Sequence, residues 1–378
     1  MGTYIYRELT PSVIEAMKYF PVVTITGPRQ SGKTSLSRHI CPDFSYANLA
    51  DISQRGKAAN DPTGFLNALG RFAIIDEVQN VPDILSMIQV RVDEDPECRY
   101  ILTGSSNFSL LAKVTQSLAG RTAVFTLLPF SLKEIKSIEE NESIEKIIID
   151  GLYPRKIVDN IPGEIYYSGY YNTYVERDLR DLLQVKNILS FDKFIRVLAA
   201  RIGSEFNASS IAREVGVSSH TIKEWMSILT TSYIAFELRP YFNNISKQYS
   251  KMPKVYFYDT GLACYLLEID TPETLRKHQM RGHLFENLAV CELLKKRYNE
   301  GKDTRLFFYR DKAGTEVDIV EPHGLDLSIY EVKYGDTLYP EFLRNMKKAS
   351  EILKNVKRKV LIYNGRTMGD SVINIRDI

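Results

Sequence analysis

The first third of the chain alternates short apolar runs with amphipathic stretches. Residues Glu8–Phe20 place apolar side chains at helical spacing, and the β-branched run Val22–Thr26 is typical of a strand that is buried on both faces. Further strands are predicted at Phe44–Asn48, Ala73–Ile75, Tyr100–Leu102 and Val124–Leu127. Because strands and helical stretches alternate at this spacing, we expect a parallel sheet with helices on its faces.

The pattern changes twice along the rest of the chain. Residues 165–240 are mostly helical in pattern, and residues 250–378 return to mixed character. In this last part, strands are predicted at Val255–Tyr258, Arg305–Tyr309, Thr315–Val320, Ser328–Val332 and Val360–Tyr363. We therefore predict three domains, at residues 1–155, 156–245 and 246–378.

Composition narrows the class of protein without fixing its function. The 378 residues are 44% hydrophobic and 25% charged, with a formal charge of +2, which is ordinary globular usage and excludes a histone-like polycation. The four cysteines lie far apart, so neither a zinc site nor a disulfide framework is indicated. No apolar run approaches the length of a membrane span. We expect a cytoplasmic protein with no membrane partner.

A phosphate-binding loop is predicted directly after the first strand. Residues 27–34 read GPRQSGKT, which fits GxxxxGK[ST] between a strand and a helix. In such a loop, backbone N–H groups converge on phosphate oxygens, Lys33 neutralises the β and γ phosphates, and the Thr34 hydroxyl is a ligand of Mg²⁺. The cofactors predicted are ATP and Mg²⁺, and the cofactor-binding residues are Gly27, Pro28, Arg29, Gln30, Ser31, Gly32, Lys33, Thr34 and Ser35.

Two carboxylates end the predicted strand that follows the loop helix. Phe72–Glu77 reads FAIIDE, an apolar run that closes on Asp76 and Glu77. Asp76 at the strand end can hold Mg²⁺ beside Thr34, and Glu77 can polarise the attacking water. The alternative is a solvated acidic strand end.

Two further positions are candidates for a role in hydrolysis. Ser105 or Ser106, after the strand at Tyr100–Leu102, can sense the γ-phosphate or orient the water, and ordinary turn chemistry is the alternative. Arg121 can stabilise charge in the transition state, either within its own subunit or from a neighbouring subunit of a homo-oligomer. A surface ion pair is the alternative for Arg121.

Residues 207–231 match the spacing of a helix-turn-helix. Ala212 permits close packing of two helices, Gly216 makes the turn, and Ile222 and Trp225 bury the second helix. The exposed groups at the front of the second helix offer hydrogen bonds but little positive charge. Contact with DNA and packing against a protein partner therefore both remain open.

A second candidate site lies near the end of the chain. Asp318 in one predicted strand and Glu331 with Lys333 in the next resemble the PD-(D/E)xK nuclease superfamily, and Glu286 in an upstream helix can add a carboxylate. In such nucleases Asp318, Glu331 and Glu286 would hold a metal ion, and Lys333 would help to activate water. The alternatives are a charged strand hairpin or a site that binds phosphate without cleaving it.

The chain as a whole resembles a family of bacterial and archaeal AAA-type ATP-binding proteins that carry a C-terminal domain of unknown function, DUF4143. The segments that carry the resemblance span most of the chain: 27–34 GPRQSGKT, 74–79 IIDEVQ, 101–106 ILTGSS, 118–134 LAGRTAVFTLLPFSLKE, 151–155 GLYPR, 174–182 YVERDLRDL and 256–267 YFYDTGLACYLL. The resemblance implies an α/β fold with a P-loop ATPase core of the additional-strand type. We expect a winged-helix-like or helix-turn-helix-like module and a restriction-endonuclease-like α/β domain after this core.

Two functions follow as hypotheses. In the first, a magnesium-dependent ATPase couples its nucleotide state to a C-terminal domain that binds DNA or has nuclease-like chemistry. In the second, ATP drives a conformational switch that binds a protein or nucleic-acid partner without nuclease activity. ATP turnover with and without DNA separates the two.

Overall fold

The computed structural model describes residues 4–105, 114, 117–136, 138, 142–173, 188–242, 248 and 251–378. It divides into two compact units. Unit 1 comprises Met1–Phe130 with Thr231–Tyr233 and Arg297–Lys302, and unit 2 comprises Ser131–Thr230, Ile234–Lys296 and Asp303–Ile378. The main segment of unit 1 thus ends at Phe130, whereas the sequence pattern predicts a boundary near residue 155. The division into three domains stays a prediction.

The strands and helices are numbered in the order in which they occur along the chain. The strands are β1 (Val22–Thr26), β2 (Ser45–Asn48), β3 (Phe72–Asp76), β4 (Arg99–Thr103), β5 (Thr122–Thr126), β6 (Ala235–Pro240), β7 (Lys254–Phe257), β8 (Phe307–Arg310), β9 (Glu316–His323), β10 (Asp326–Lys333), β11 (Val356–Tyr363) and β12 (Val372–Asn374). The helices are α1 (Thr10–Tyr19), α2 (Lys33–Ile40), α3 (Ile52–Asn60), α4 (Pro62–Leu69), α5 (Ile84–Glu94), α6 (Ile144–Asp150), α7 (Pro154–Val158), α8 (Gly163–Tyr170), α9 (Ile188–Ala199), α10 (Ala208–Val215), α11 (Ser219–Thr231), α12 (Thr260–Leu266), α13 (Pro272–Lys277), α14 (Arg281–Asn299) and α15 (Arg344–Ile352).

Unit 1 is built on a five-stranded parallel sheet in the order β2-β3-β4-β1-β5. All five residues of β1 are buried, as its run of β-branched residues predicts for a central strand that is covered on both faces. Alternate side chains of β1 enter two different apolar clusters, Val22 in one and Val23 with Ile25 in the other. The parallel arrangement brings the carboxyl ends of β1, β3 and β4 to one edge of the sheet.

Unit 2 contains a seven-stranded mixed sheet in the order β12-β11-β10-β9-β8-β6-β7. Helices α10 and α11 lie where the helix-turn-helix spacing predicts them, and Gly216 between them has a φ of +85°. Ala212, Ile222 and Trp225 are buried, as that pattern requires. Strand β9 pairs antiparallel with β10, so the strand of Asp318 lies beside the strand of Glu331 and Lys333.

The predicted elements and the observed ones differ in two places. The stretch 165–240 is not helical to its end, because Ala235–Pro240 forms β6, which pairs with β7 and β8. Strand β12 was not predicted, because it has only three residues, all half-buried. Among the described residues, no helix combines the length and the apolar character that crossing a bilayer requires.

Candidate functional site

The predicted phosphate-binding loop connects β1 to α2, and two glycines fix its path. Gly27 has a φ of +143°, and a Cβ at this position would lie 2.1 Å from the Leu127 backbone oxygen. Gly32 has a φ of +93° and is the N-cap of α2. Both positions therefore need glycine, and the loop runs into a helix N-terminus that favours anions.

Lys33 lies inside this loop. Its side chain is buried, and its Nζ donates hydrogen bonds to the backbone oxygens of Gly27 at 3.1 Å and Pro28 at 2.7 Å. Burial lowers the pKa of the Lys33 ammonium to about 8, while the nearby carboxylates of Glu77 and Asp76 act in the opposite direction. The Ser31 hydroxyl is buried without a hydrogen-bond partner among the described residues. A buried ammonium and a buried, unpartnered hydroxyl in one loop are suited to phosphate oxygens.

Arg7, which lies outside the GxxxxGK[ST] motif, stabilises the phosphate-binding loop through hydrogen bonds. Its guanidinium donates to the backbone oxygens of Ser31 at 2.6 Å and Leu128 at 2.7 Å, and it lies 4.8 Å from the centre of the Phe130 ring. These contacts join the loop to the chain that follows β5 and to the start of the protein. No local pattern in the sequence predicts this role, because the partners lie 24 and 121 residues from Arg7.

Asp76 is the most heavily hydrogen-bonded carboxylate of the site. Its Oδ2 accepts from the Thr34 hydroxyl at 2.7 Å and from the Tyr46 hydroxyl at 3.0 Å. Its Oδ1 accepts from the Thr103 hydroxyl and from the backbone N–H of Glu77, the latter at 3.1 Å. A carboxylate beside a threonine hydroxyl is a pair of hard oxygen donors, which fits Mg²⁺. The residues present therefore suit the predicted metal.

Glu77 follows Asp76 with a left-handed backbone, at a φ of +54°. This conformation turns its side chain away from Asp76 and towards the end of β4. There, Glu77 Oε2 accepts hydrogen bonds from the Ser105 hydroxyl at 3.1 Å and from the Gln79 side-chain amide. The structure thus brings together Lys33, Thr34, Asp76, Glu77 and Ser105 at the carboxyl edge of the parallel sheet.

The other residues predicted for this site have different surroundings. Arg29, Gln30 and Ser35 are exposed on the loop and the first turn of α2. Arg121 forms a two-pronged ion pair with Asp93, at 2.6 and 2.8 Å, which is the alternative that the sequence left open. Its role in stabilising the transition state stays a prediction, and Ser106 lies outside the described residues.

The second predicted site is a cluster of charges on β9 and β10 of unit 2. The Lys333 ammonium lies 2.7 Å from Glu331 Oε1 and 3.9 Å from Asp318 Oδ2. Asp318 Oδ2 also accepts the backbone N–H of Val332 at 2.8 Å. Glu331 is buried, and its Oε2 has no partner among the described residues. The structure therefore brings Asp318, Glu331 and Lys333 together, as the sequence spacing predicts.

Glu286 on α14 belongs to the same cluster through a residue that the sequence analysis missed. Glu286 Oε1 accepts the Tyr256 hydroxyl at 2.6 Å and lies 3.4 Å from the Lys254 ammonium. Lys254 is buried on β7 and also pairs with Glu316 at 2.7 Å. Its only signal in the sequence is a lysine at the start of an apolar strand.

Two carboxylates of this cluster, Glu286 and Glu331, are unusually basic. Burial raises the pKa of Glu286 to about 7 and that of Glu331 to about 8, and the charge of Asp318 acts in the same direction on both. Lys254 and Lys333 supply the opposing positive charge. In the part of the chain that the structure describes, no group of three histidine, cysteine, aspartate or glutamate side chains is arranged to hold a metal ion. The metal-binding role of Glu286, Asp318 and Glu331 stays a prediction.

Two matches to known protein families establish the domain architecture of the chain. Residues 19–136 match the model of an AAA domain, and residues 281–376 match that of a domain of unknown function, DUF4143. The chain is an AAA-domain protein with a C-terminal DUF4143 domain. This confirms the architecture that the motifs indicated, and the AAA domain implies nucleotide binding at the level of the family. Residues 141–273 match a further domain of unknown function, DUF8612.

Relatives of this AAA–DUF4143 protein occur in bacteria and archaea. An uncharacterized protein of Mycobacterium tuberculosis is 28% identical over 381 residues, which cover 98% of this chain and 83% of the relative. An uncharacterized protein of Methanocaldococcus jannaschii is 24% identical, with 91% of this chain and 82% of the relative covered. Among solved structures, a Walker-type ATPase of Pyrococcus abyssi is 16% identical with a TM-score of 0.46, covering 70% of this chain and 96% of its own.

Both candidate sites can now be assigned to the matched domains. The phosphate-binding loop, Asp76, Glu77 and Ser105 all lie within the AAA domain. Glu286, Asp318, Glu331 and Lys333 lie within the DUF4143 domain, whereas Lys254 comes from the DUF8612 region. The charged cluster of unit 2 is therefore shared between two matched regions of the chain.

Proposed function

We propose that unit 1 is a magnesium-dependent ATPase. The observation that carries this proposal is the 2.7 Å hydrogen bond between the Thr34 hydroxyl and Asp76 Oδ2, beside the buried ammonium of Lys33. It joins the phosphate-binding loop to the end of β3. This contact supports the proposal, because Thr34 and Asp76, the predicted ligands of Mg²⁺, are adjacent to the loop that is predicted to bind the phosphates.

Each residue of this site then has a chemical task. Thr34 and Asp76 would hold Mg²⁺, which would neutralise negative charge on the phosphate oxygens. Lys33 leaves the loop oxygens and pairs with the β and γ phosphates. Glu77 orients the attacking water and accepts its proton, and Ser105 holds the Glu77 carboxylate in place.

The partner of unit 2 is the second part of the proposal. We infer that the nucleotide state controls binding of DNA through the helix-turn-helix of α10 and α11 and through the charged cluster of unit 2. Binding without cleavage is favoured by one observation: the ammonium of Lys254 lies between Glu286 and Glu316, where it neutralises Glu286, a carboxylate that a metal ion would need. The function is thus an ATP-dependent switch with a nuclease-like fold but without robust nuclease activity.

Steady-state ATP hydrolysis tests both parts. The assay compares wild type with Glu77→Gln, with Mg²⁺ and with excess chelator, and in the absence and presence of double- or single-stranded DNA. Turnover that needs Mg²⁺ and falls on the order of 10²-fold in Glu77→Gln, with ATP still bound, supports the ATPase. Equal turnover in the two proteins contradicts the role of Glu77. A rate that DNA leaves unchanged, together with no binding of DNA, contradicts the DNA partner.

A further inference from the structure

Gln79 lies on a short turn that follows the predicted catalytic base. The turn, Val78–Asn80, is a single 3-10 turn directly after Glu77. The side chain of Val78 is buried in the core of unit 1, and the Asn80 side-chain amide donates to the Leu49 backbone oxygen at 3.3 Å. The backbone N–H of Asn80 also donates to the Glu77 backbone oxygen at 3.0 Å. The residues on both sides of Gln79 are therefore held in place, so the backbone position from which the Gln79 side chain extends is well defined.

The amide of Gln79 is directed at the carboxylate of Glu77. Its Nε2 donates to Glu77 Oε2 and lies 3.3 Å from the Ser105 hydroxyl, which itself donates to the same Oε2. Two donors thus converge on one carboxylate oxygen. Among the described residues, no donor contacts the other oxygen, Oε1.

The orientation of the Gln79 amide is set by Glu77. The Gln79 Oε1 atom is buried and has no hydrogen-bond partner among the described residues, which is unfavourable. Rotating the amide by half a turn would instead place its oxygen against the Glu77 carboxylate, where two acceptors repel each other. The observed orientation therefore leaves the Gln79 side-chain oxygen without a partner among the described residues but keeps the Gln79 N–H donor on Glu77.

We propose that Gln79 is a positioning residue for ATP hydrolysis. With Oε2 held by Gln79 and Ser105, Oε1 is the oxygen that remains to accept the proton of the attacking water. A glutamate side chain has three rotatable bonds, and fixing it in advance removes an entropic cost from the hydrolysis step. This role rests on the proposed function of Glu77 as the base.

The first experiment measures single-turnover hydrolysis at saturating ATP and Mg²⁺ in Gln79→Met, which preserves the length of the side chain but removes the donor. We expect the rate to fall about tenfold to a hundredfold, as is usual when a supporting hydrogen bond to a reactive group is lost. The affinity for ATP, measured by calorimetry, should remain at the wild-type value because Gln79 contacts Glu77 and not the loop. The same change in Gln89→Met, at a half-buried glutamine of α5, is the matched control and should leave the rate unchanged.

The second experiment is a double-mutant cycle with Glu77→Gln. If Gln79 acts only through Glu77, Gln79→Met should cause no further loss in the Glu77→Gln background. Multiplied losses in the double variant would overturn the inference, as would an unchanged or faster rate in Gln79→Met alone. A wild-type rate in Glu77→Gln would instead contradict the proposed base. If Gln79→Met lowers the melting temperature, Gln79→Ala is carried through the same cycle.

Discussion

The sharpest test of the nucleotide site is the removal of one charge, by Lys33→Met. Methionine retains most of the buried stem of the lysine, so the loop keeps its packing and loses only the ammonium. In the structure this ammonium is held by two backbone oxygens, those of Gly27 at 3.1 Å and Pro28 at 2.7 Å. In the proposed mechanism, binding of ATP exchanges these two hydrogen bonds for an ion pair with phosphate.

The size of the effect follows from that exchange. An ammonium about 4 Å from one phosphate charge gains about 4 kcal/mol at the effective dielectric constant of a protein site. Releasing the two hydrogen bonds to the loop costs roughly 1 kcal/mol each. The net gain is at least about 2 kcal/mol, so Lys33→Met should raise the dissociation constant for ATP at least about thirtyfold.

Titration calorimetry with ATP and Mg²⁺ measures this constant directly. Thermal unfolding without nucleotide shows whether the variant is folded, and we expect the melting temperature to change by only a few degrees, because losing two hydrogen bonds is offset by no longer burying a charge. Lys57→Met, at an exposed lysine of α3, is the matched control and should bind ATP as the wild type does. An affinity within fivefold of wild type in a folded Lys33→Met protein would refute the assignment of the loop.

Three further predictions concern both candidate sites. Asp76→Asn should weaken Mg²⁺-dependent ATP binding in calorimetry. The two carboxylate oxygens of Asp76 accept hydrogen bonds from four donors, whereas the amide of asparagine has only one oxygen. Equal affinities for ATP with and without Mg²⁺ in the wild type would contradict this prediction. Gly27→Ala should lower the free energy of unfolding by roughly 2 kcal/mol or more, since its Cβ would meet backbone at 2.1 Å, whereas Gly56→Ala on α3 meets nothing and should not destabilise the protein in denaturant titrations. In plasmid nicking with Mg²⁺ or Mn²⁺, we expect no robust cleavage; nicking by wild type that is lost in both Asp318→Ala and Lys333→Ala would overturn that expectation.

The nucleotide site was predictable because its information is local. The eight residues 27–34 form one continuous segment, from the loop into the first turn of α2, whose glycines and lysine act within a few residues of each other. Strand β3 is likewise a short apolar run that ends in Asp76 and Glu77, so the strand and its two carboxylates could be placed together. The alternation of strands and helices then predicts a parallel sheet, in which the carboxyl ends of the strands share one edge.

The charged cluster of unit 2 was predictable only in part. Asp318, Glu331 and Lys333 lie on neighbouring strands of a hairpin, and the alternation of side chains along a strand predicts that they meet. Lys254 lies 32 residues from Glu286 and 62 from Glu316, and no local pattern links these positions. This lysine changes the chemistry of the site, because it neutralises Glu286, one of the carboxylates predicted to hold a metal ion.

The type of each local element, and the residues that a continuous motif carries, are therefore predictable from the sequence. The packing of the folded chain adds the distant side chains that support them: Arg7 on the phosphate loop, Tyr46 and Thr103 on Asp76, and Lys254 among the carboxylates of unit 2. The difference arises because a motif acts through backbone geometry over a few residues. Supporting contacts instead depend on how strands and helices pack, which brings together residues that no spacing in the sequence connects.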